Sequence, residues 1–109
     1  MKMVELKIKP LSINIAFQGK RFKTKEYKVF ERYVLMMLPK IKIPEPPNKI
    51  YLEFGMSNKL SDWDNPVKPI QDILQKKYGF NDRDIYEAQV KKVLVEKGKE
   101  YIKFEINKI

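Results

Sequence analysis

Neither cysteine nor histidine occurs anywhere in the 109 residues. Without cysteine there is no disulfide framework, no thiolate metal site and no thiol nucleophile. Without histidine the commonest general base at neutral pH and the commonest zinc ligand are both missing. Any chemistry therefore falls to carboxylates, lysines, tyrosines or serines, or to a metal held by oxygen, which favours magnesium or manganese over zinc. Long apolar runs are absent too. The longest, Tyr33 to Leu38, is far too short to span a bilayer. The opening MKMVELKIKP alternates charged and apolar residues and lacks the apolar segment of a secretion signal. The expectation is a soluble, cytoplasmic protein with no membrane partner.

What the chain has in excess is positive charge. Lys+Arg number 23 against 14 Asp+Glu, a formal net charge of +9. That surplus points to a polyanionic partner, nucleic acid or an anionic membrane surface, with a merely well-solvated basic surface as the bland alternative and nucleic acid favoured over it. The apolar fraction of 43% and aromatic fraction of 12% suit a globular protein, and the length suits a single domain over residues 1–109.

Alternation and helical spacing predict the elements. Val4, Leu6 and Ile8 alternate with charged residues as a half-buried strand ending at Pro10. A turn is expected at Gln18-Gly19-Lys20, beside a basic rim of Lys20, Arg21 and Lys23. Thr24 should cap a helix carrying Tyr27, Phe30, Val34, Met37 and Leu38 on one face, its methionine stripe read as core, stopped by Pro39. KIKIPEPPNK reads as a proline-punctuated connector, and Ile50, Leu52, Phe54 and Met56 as a second strand. Val67, Ile70, Ile73 and Leu74 share one face of a second helix that should end at Tyr78-Gly79, where glycine can take the left-handed conformation. Ile85–Val95 reads as a long strand, Glu96–Lys99 as a hairpin turn, and Ile102, Phe104 and Ile106 as the last strand. The expected fold is an α+β domain, a mixed sheet with two main helices packed on it, in the order β-α-β-α-β-β.

The segment SDWDNPVK, Ser61 to Lys68, concentrates acid inside this basic chain. In an extended backbone the spacing of Asp62 and Asp64 puts both carboxylates on one side and Trp63 on the other. Lys68 follows Asp64 by four, so a helical turn would return its ammonium beside the pair. A second doublet, Asp82 and Asp84, follows the helix. Converging carboxylates repel unless a cation sits between them, and several Asp oxygens plus water are what magnesium accepts. A lysine nearby could then stabilise charge developing on a phosphate. The competing reading makes Asp64 or Asn65 a helix cap, Asp82 or Asp84 a turn brace, and Asp72 an ion-pair partner for the lysines one helical turn either side. Spacing alone leaves the two readings open.

DWDNPVK, then a helix, then GFNDRDI resembles the signature of the RusA-type Holliday-junction resolvases: Asp-x-Asp-Asn-x-x-Lys, a helix, then a loop of the kind Asp-Asp-x-Gln-Ile/Val. The similarity of element order extends over nearly the whole chain, through SINIAF, GKRFKTKEY and the first helix, but only the acidic core is diagnostic. The resemblance implies a small homodimeric, magnesium-dependent endonuclease that nicks four-way DNA junctions symmetrically, with manganese as an alternative ion and no small-molecule cofactor. It implies a setting near the nucleoid, in a bacterium or encoded by a phage. By position, Asp62, Asp64 and Asp82 match the metal-binding catalytic acids and Lys68 the catalytic lysine. Asn65 matches the motif asparagine. The chain departs from the pattern at Asn81, where the family has its first acid, and at Asp84, where it has glutamine, making Asp84 a substitute or outer ligand. Ser61 stands where relatives often carry a basic residue, and Lys59 lies close enough to compensate. Lys20, Arg21, Lys23 and Lys59 are the candidate backbone contacts to DNA. Phe22 and Trp63 read as packing residues, with base stacking as their functional alternative. Fold and motif alone do not separate a junction resolvase from a flap or fork nuclease, or from a binding module without catalysis.

Overall fold

Four strands form the frame: β1 (Val4–Leu6), β4 (Asn48–Met56), β5 (Ile85–Leu94) and β6 (Tyr101–Lys108). A computed structural model describes residues 1–18 and 22–109 of the chain. The sheet order is β1-β6-β4-β5, with β4 and β5 parallel and the other neighbours antiparallel. Between β1 and β4 lie a short helix α1 (Ile13–Ala16), two minimal strands β2 (Phe17–Gln18) and β3 (Phe22–Lys23), and helix α2 (Lys25–Met37). Helix α3 (Val67–Tyr78) crosses from β4 to β5, giving the expected α+β fold with a mixed sheet and two main helices.

Alternation decides which sheet face is covered. Asn48, Ile50, Leu52 and Phe54 are buried on β4, and the register sets Leu52 beside Phe104 and Phe54 beside Ile102 on β6. Tyr27, Phe30 and Val34 of α2 and Ile70, Ile73 and Leu74 of α3 close over this face in one apolar cluster. Burying each such side chain contributes about 1.5–3 kcal/mol. Asn48, the one buried polar residue of that face among the described residues, donates from Nδ2 to the carbonyls of Pro44 and Glu45 at 3.1 and 3.2 Å. It thereby ties down the proline-rich connector without leaving an unpaired polar group.

The caps follow the sequence signals. Thr24 Oγ1 accepts from Tyr27 N at 3.2 Å and donates to Ile15 O at 2.7 Å, fixing the start of α2 against α1. Gly79 ends α3 with φ 74°, the left-handed conformation glycine takes most cheaply. Pro66, just ahead of α3, and Pro69, in its first turn, sit where no intrahelical N–H partner is needed. The Tyr27 hydroxyl donates to Pro69 O at 3.3 Å and joins the two helices.

Two expectations fail. The methionine stripe of α2 is not core: Met36 and Met37 are exposed, because they fall beside the Tyr27-Phe30-Val34 face that packs on the sheet. The last two strands do not pair as a hairpin, because β4 lies between them. β4 takes a central place, because its buried Ile50-Leu52-Phe54 face is matched by the alternating Ile102-Phe104-Ile106 face of β6. The more polar β5, with Glu87, Ala88 and Gln89 exposed, goes to the edge. The Gln18-Gly19-Lys20 turn reaches outside the described residues, although Phe17 pairs with Lys23 and Gln18 with Phe22. Among the described residues no helix is long and apolar enough to cross a membrane.

Candidate active site

The acidic loop leaves the C-terminal end of β4 and is pinned at several points. The Asn58 side chain accepts from Leu60 N at 2.9 Å, and Asn58 O accepts from Ser61 N at 3.2 Å. At its far end Asp64 O accepts from Val67 N at 3.1 Å, and Asn65 O accepts from Ile13 N at 2.8 Å. From the neighbouring strand β5, Lys92 Nζ donates to Lys59 O at 2.9 Å and also to Ser61 O. A loop held this way presents its side chains from a fixed backbone. Beneath it runs a groove of about 560 Å³ lined by Leu11, Ile15, Met56, Asn58, Ser61 and Asn65.

Asp62 and Asp64 both project into solvent, and among the described residues neither carboxylate has a hydrogen-bond or ion-pair partner. Neither side chain caps α3, whose start has no side-chain cap at all. Residues 63–66 form turns instead of extended backbone, so the alternate-side argument for Trp63 does not apply. Trp63 is 56% exposed and Phe22 75% exposed, so of the expected core or rim packing the core is excluded for both, and Leu60 beside the acids is 82% exposed.

Lys68 is not turned back toward the acids. Its ammonium pairs with Asp72 at 3.1 Å, one helical turn onward, and lies 6.0 Å from the centre of the Phe17 ring. The pairing of Asp72 matches the surface ion pair expected of it. Both groups of that pair are substantially exposed, which makes it worth little and easily exchanged for an incoming phosphate.

Asp82 and Asp84 lie in a 3-10 turn that leads into β5. The brace of that turn is Asn81, whose side chain accepts from Arg83 N at 3.1 Å. Asp82 Oδ1 accepts instead from Gln71 Nε2 at 2.7 Å, which fastens the turn to the middle of α3. Because β4 and β5 run parallel, Asp62 and Asp64 follow the end of one strand while Asp82 and Asp84 precede the start of its neighbour. Along the chain, the crossover helix α3 separates the two acidic groups. Among the described residues no group of three or more carboxylates gathers to hold a metal ion.

Of the other candidate residues, Lys59 is exposed beside the acids. Lys23 is engaged by Glu31 at 3.3 Å and lies 5.1 Å from the centre of the Tyr27 ring, while Lys76 grips the same Glu31 at 3.2 Å. Lys20 and Arg21 lie outside the described residues.

Lys92 is the residue that motif reading misses, although the sequence does signal it. The positions of β5 that share the helix-covered face are Ala88, Val90, Lys92 and Leu94, and Lys92 stands in register with buried Phe54. A lysine at an otherwise apolar face position needs a partner, and here the loop carbonyls supply it.

The oxygen-only donor set fits a hard divalent cation. Magnesium is commonly held by one or two carboxylates plus substrate phosphates and water, and Asp62 and Asp64 offer that pair. No family model and no curated protein matches the chain.

Proposed function

We propose that the chain is a divalent-metal-dependent endodeoxyribonuclease of the RusA type that cuts branched DNA, four-way junctions first, by paired nicks from a homodimer. The observation that carries this reading is the Asp62–Asp64 pair: two exposed carboxylates without partners, on a loop pinned at several points, in a chain of net charge +9. Solvated surface acids in such a chain would more economically pair with its many lysines.

Asp62 and Asp64 would hold the cation, which when bound polarises a phosphate and makes water a better nucleophile. Lys68 can leave its exposed pair with Asp72 and approach phosphate from the first turn of α3. Lys59, with Lys20, Arg21 and Lys23, grips the DNA backbone without reading sequence. Trp63 and Phe22, both exposed, offer stacking faces for the unpaired bases of a branch point. Asp82 contributes once its bond to Gln71 opens or a second copy approaches. The setting proposed is cytoplasmic and nucleoid-associated.

A second reading, a basic nucleic-acid-binding module without catalysis, draws on Asp82 and Lys68 both being engaged away from the acid pair. One experiment separates the two: cleavage of end-labelled four-way junctions with Mg²⁺, Mn²⁺ or chelator, for the native chain and Asp64→Asn. Metal-dependent nicks in opposing strands, lost in Asp64→Asn while junction binding persists, are the expected result. Binding without cutting under every ion establishes the second reading. Flap and fork substrates in the same assay decide which branched structure is preferred.

A further inference from the structure

The geometry points to β5 as a homodimer seam, at which two copies of this chain join edge to edge in antiparallel register about a two-fold axis at Gln89. The inference deepens the homodimer part of the reading above and stands apart from its chemistry. β5 is ten residues long, is hydrogen-bonded on one side only, and has Glu87, Ala88 and Gln89 exposed. The opposite edge, β1, is only three residues long. Natural sheets keep exposed edges short or interrupted by proline, because a long free edge is a template for another strand. β5 contains no proline, and its register with β4 is unbroken from Glu87 to Leu94.

Its charges are self-complementary. Glu87 and Lys91 lie two positions either side of Gln89, so a two-fold axis there sets each Glu87 opposite the partner's Lys91, twice per dimer. Among the described residues neither side chain has an ion-pair partner within its own chain. The rows also extend correctly across the sheets. Lys49 neighbours Glu87 and Glu53 neighbours Lys91 within a chain, so signs alternate Lys49, Glu87, the partner's Lys91, the partner's Glu53. Opposite charges directly across antiparallel strands stabilise, and like charges destabilise. On the other face small Ala88 falls opposite the partner's Val90. An unrelated extended peptide would satisfy the backbone but has no reason to match this charge order. The same register sets the Asp82–Asp84 turn at the head of one β5 beside the tail of the other, where Lys92 holds the Asp62–Asp64 loop.

Sedimentation equilibrium at micromolar concentration, without DNA or divalent ions, tests the seam on the native chain, Glu87→Lys, Lys91→Glu and the double reversal. Each single reversal is expected to weaken dimerisation by about tenfold or more, with the circular dichroism spectrum and melting temperature of the isolated chain retained. The double reversal restores it. Since the chain has no cysteine, Gln89→Cys should form a covalent dimer on mild oxidation, because facing Cα atoms about 4.5–5.5 Å apart suit a disulfide. Lys99→Cys, beyond the end of β5, should not. A monomeric native chain, or a dimer indifferent to all three charge variants, overturns the inference. Neither readout uses cleavage, so an inactive but dimeric chain counts against the nuclease reading alone, and a cutting monomer against the seam alone.

Discussion

Lys92 reaches across from the edge strand to the backbone of Ser61, 31 positions earlier in the chain, and holds the start of the acidic loop against the sheet. It is a positioning residue, since it touches the loop and not the acids. Lys92→Met keeps the stem and removes the donor. Charged hydrogen bonds of this sort contribute about 1.5–3 kcal/mol, and partial exposure places the expected loss of stability toward the lower figure. Under the proposed nuclease function, cleavage should fall roughly ten- to a hundredfold, since small misplacements of reacting groups are costly. Junction affinity should change much less. A variant with native cleavage rates would show that the loop needs no anchor there.

Asp82→Asn separates charge from structure at the turn before β5. The amide oxygen can still accept from Gln71, so the melting temperature should stay within about 2 °C of native. If Asp82 acts in the reaction, cleavage drops by about a hundredfold or more while the fold is untouched. Gln71→Ala, which frees the carboxylate, should not abolish cleavage. Loss of activity in Gln71→Ala together with normal activity in Asp82→Asn would assign this contact to folding only.

Gly55 is required by Tyr101. A Cβ at Gly55 would lie closer to the Tyr101 ring than any real contact allows, and the two residues face each other across β4 and β6. Gly55→Ala must therefore displace the ring from its bond to Glu53. The expected cost is about 1–3 kcal/mol, read by urea denaturation, and Gly55→Ala combined with Tyr101→Ala should cost less than the sum of the two.

The same open sheet face sets a pH window. Glu53 accepts from the hydroxyls of Tyr101 and Tyr51, which hold its carboxyl below the usual range. Tyr51 is pushed up to about 12 by that bond to Glu53 and by burial. Tyr101 is pushed up to about 12 by burial and by the same carboxylate. A depressed carboxyl lends stability above its unfolded value near 4.5, lost as pH falls through the folded value. A raised phenol lends stability below 10, lost as pH rises toward 12. Denaturation midpoints should decline at both ends, and Tyr51→Phe should flatten the alkaline limb. An ultraviolet titration with every tyrosine ionising near pH 10 would contradict this.

Much of the architecture is legible from local pattern. Thr24 with the Tyr27-Phe30-Val34 stripe, the alternation of Ile50 to Phe54, and Gly79 after Tyr78 each state an element boundary that α2, β4 and α3 obey. Strand order is not local. Glu96 to Lys99 has the composition of a hairpin turn, yet β6 passes over to the far side of β4, because burial of β4 on both edges outweighs the proximity of β5 and β6 in sequence. The site is legible to the same extent. Asp62 and Asp64 stand out by spacing and do emerge unpartnered. The sequence order of Asp62, Asp64, Lys68 and Asp82 says nothing about where the helix between them leaves each group, and Asp72 and Gln71 take up Lys68 and Asp82. Lys92 was detectable only as a charge out of phase with its strand.

The position of β4 also fixes a hierarchy of backbone opening. Its amides and carbonyls are paired on both flanks, to β5 on one side and β6 on the other. Deuterium should enter β4 last, through global unfolding alone, whereas the outward half of the β5 amides should exchange from the native state. If a second copy covers that edge, those β5 amides become slower as protein concentration rises while β4 does not change, and the exchange pattern becomes a residue-by-residue readout of association.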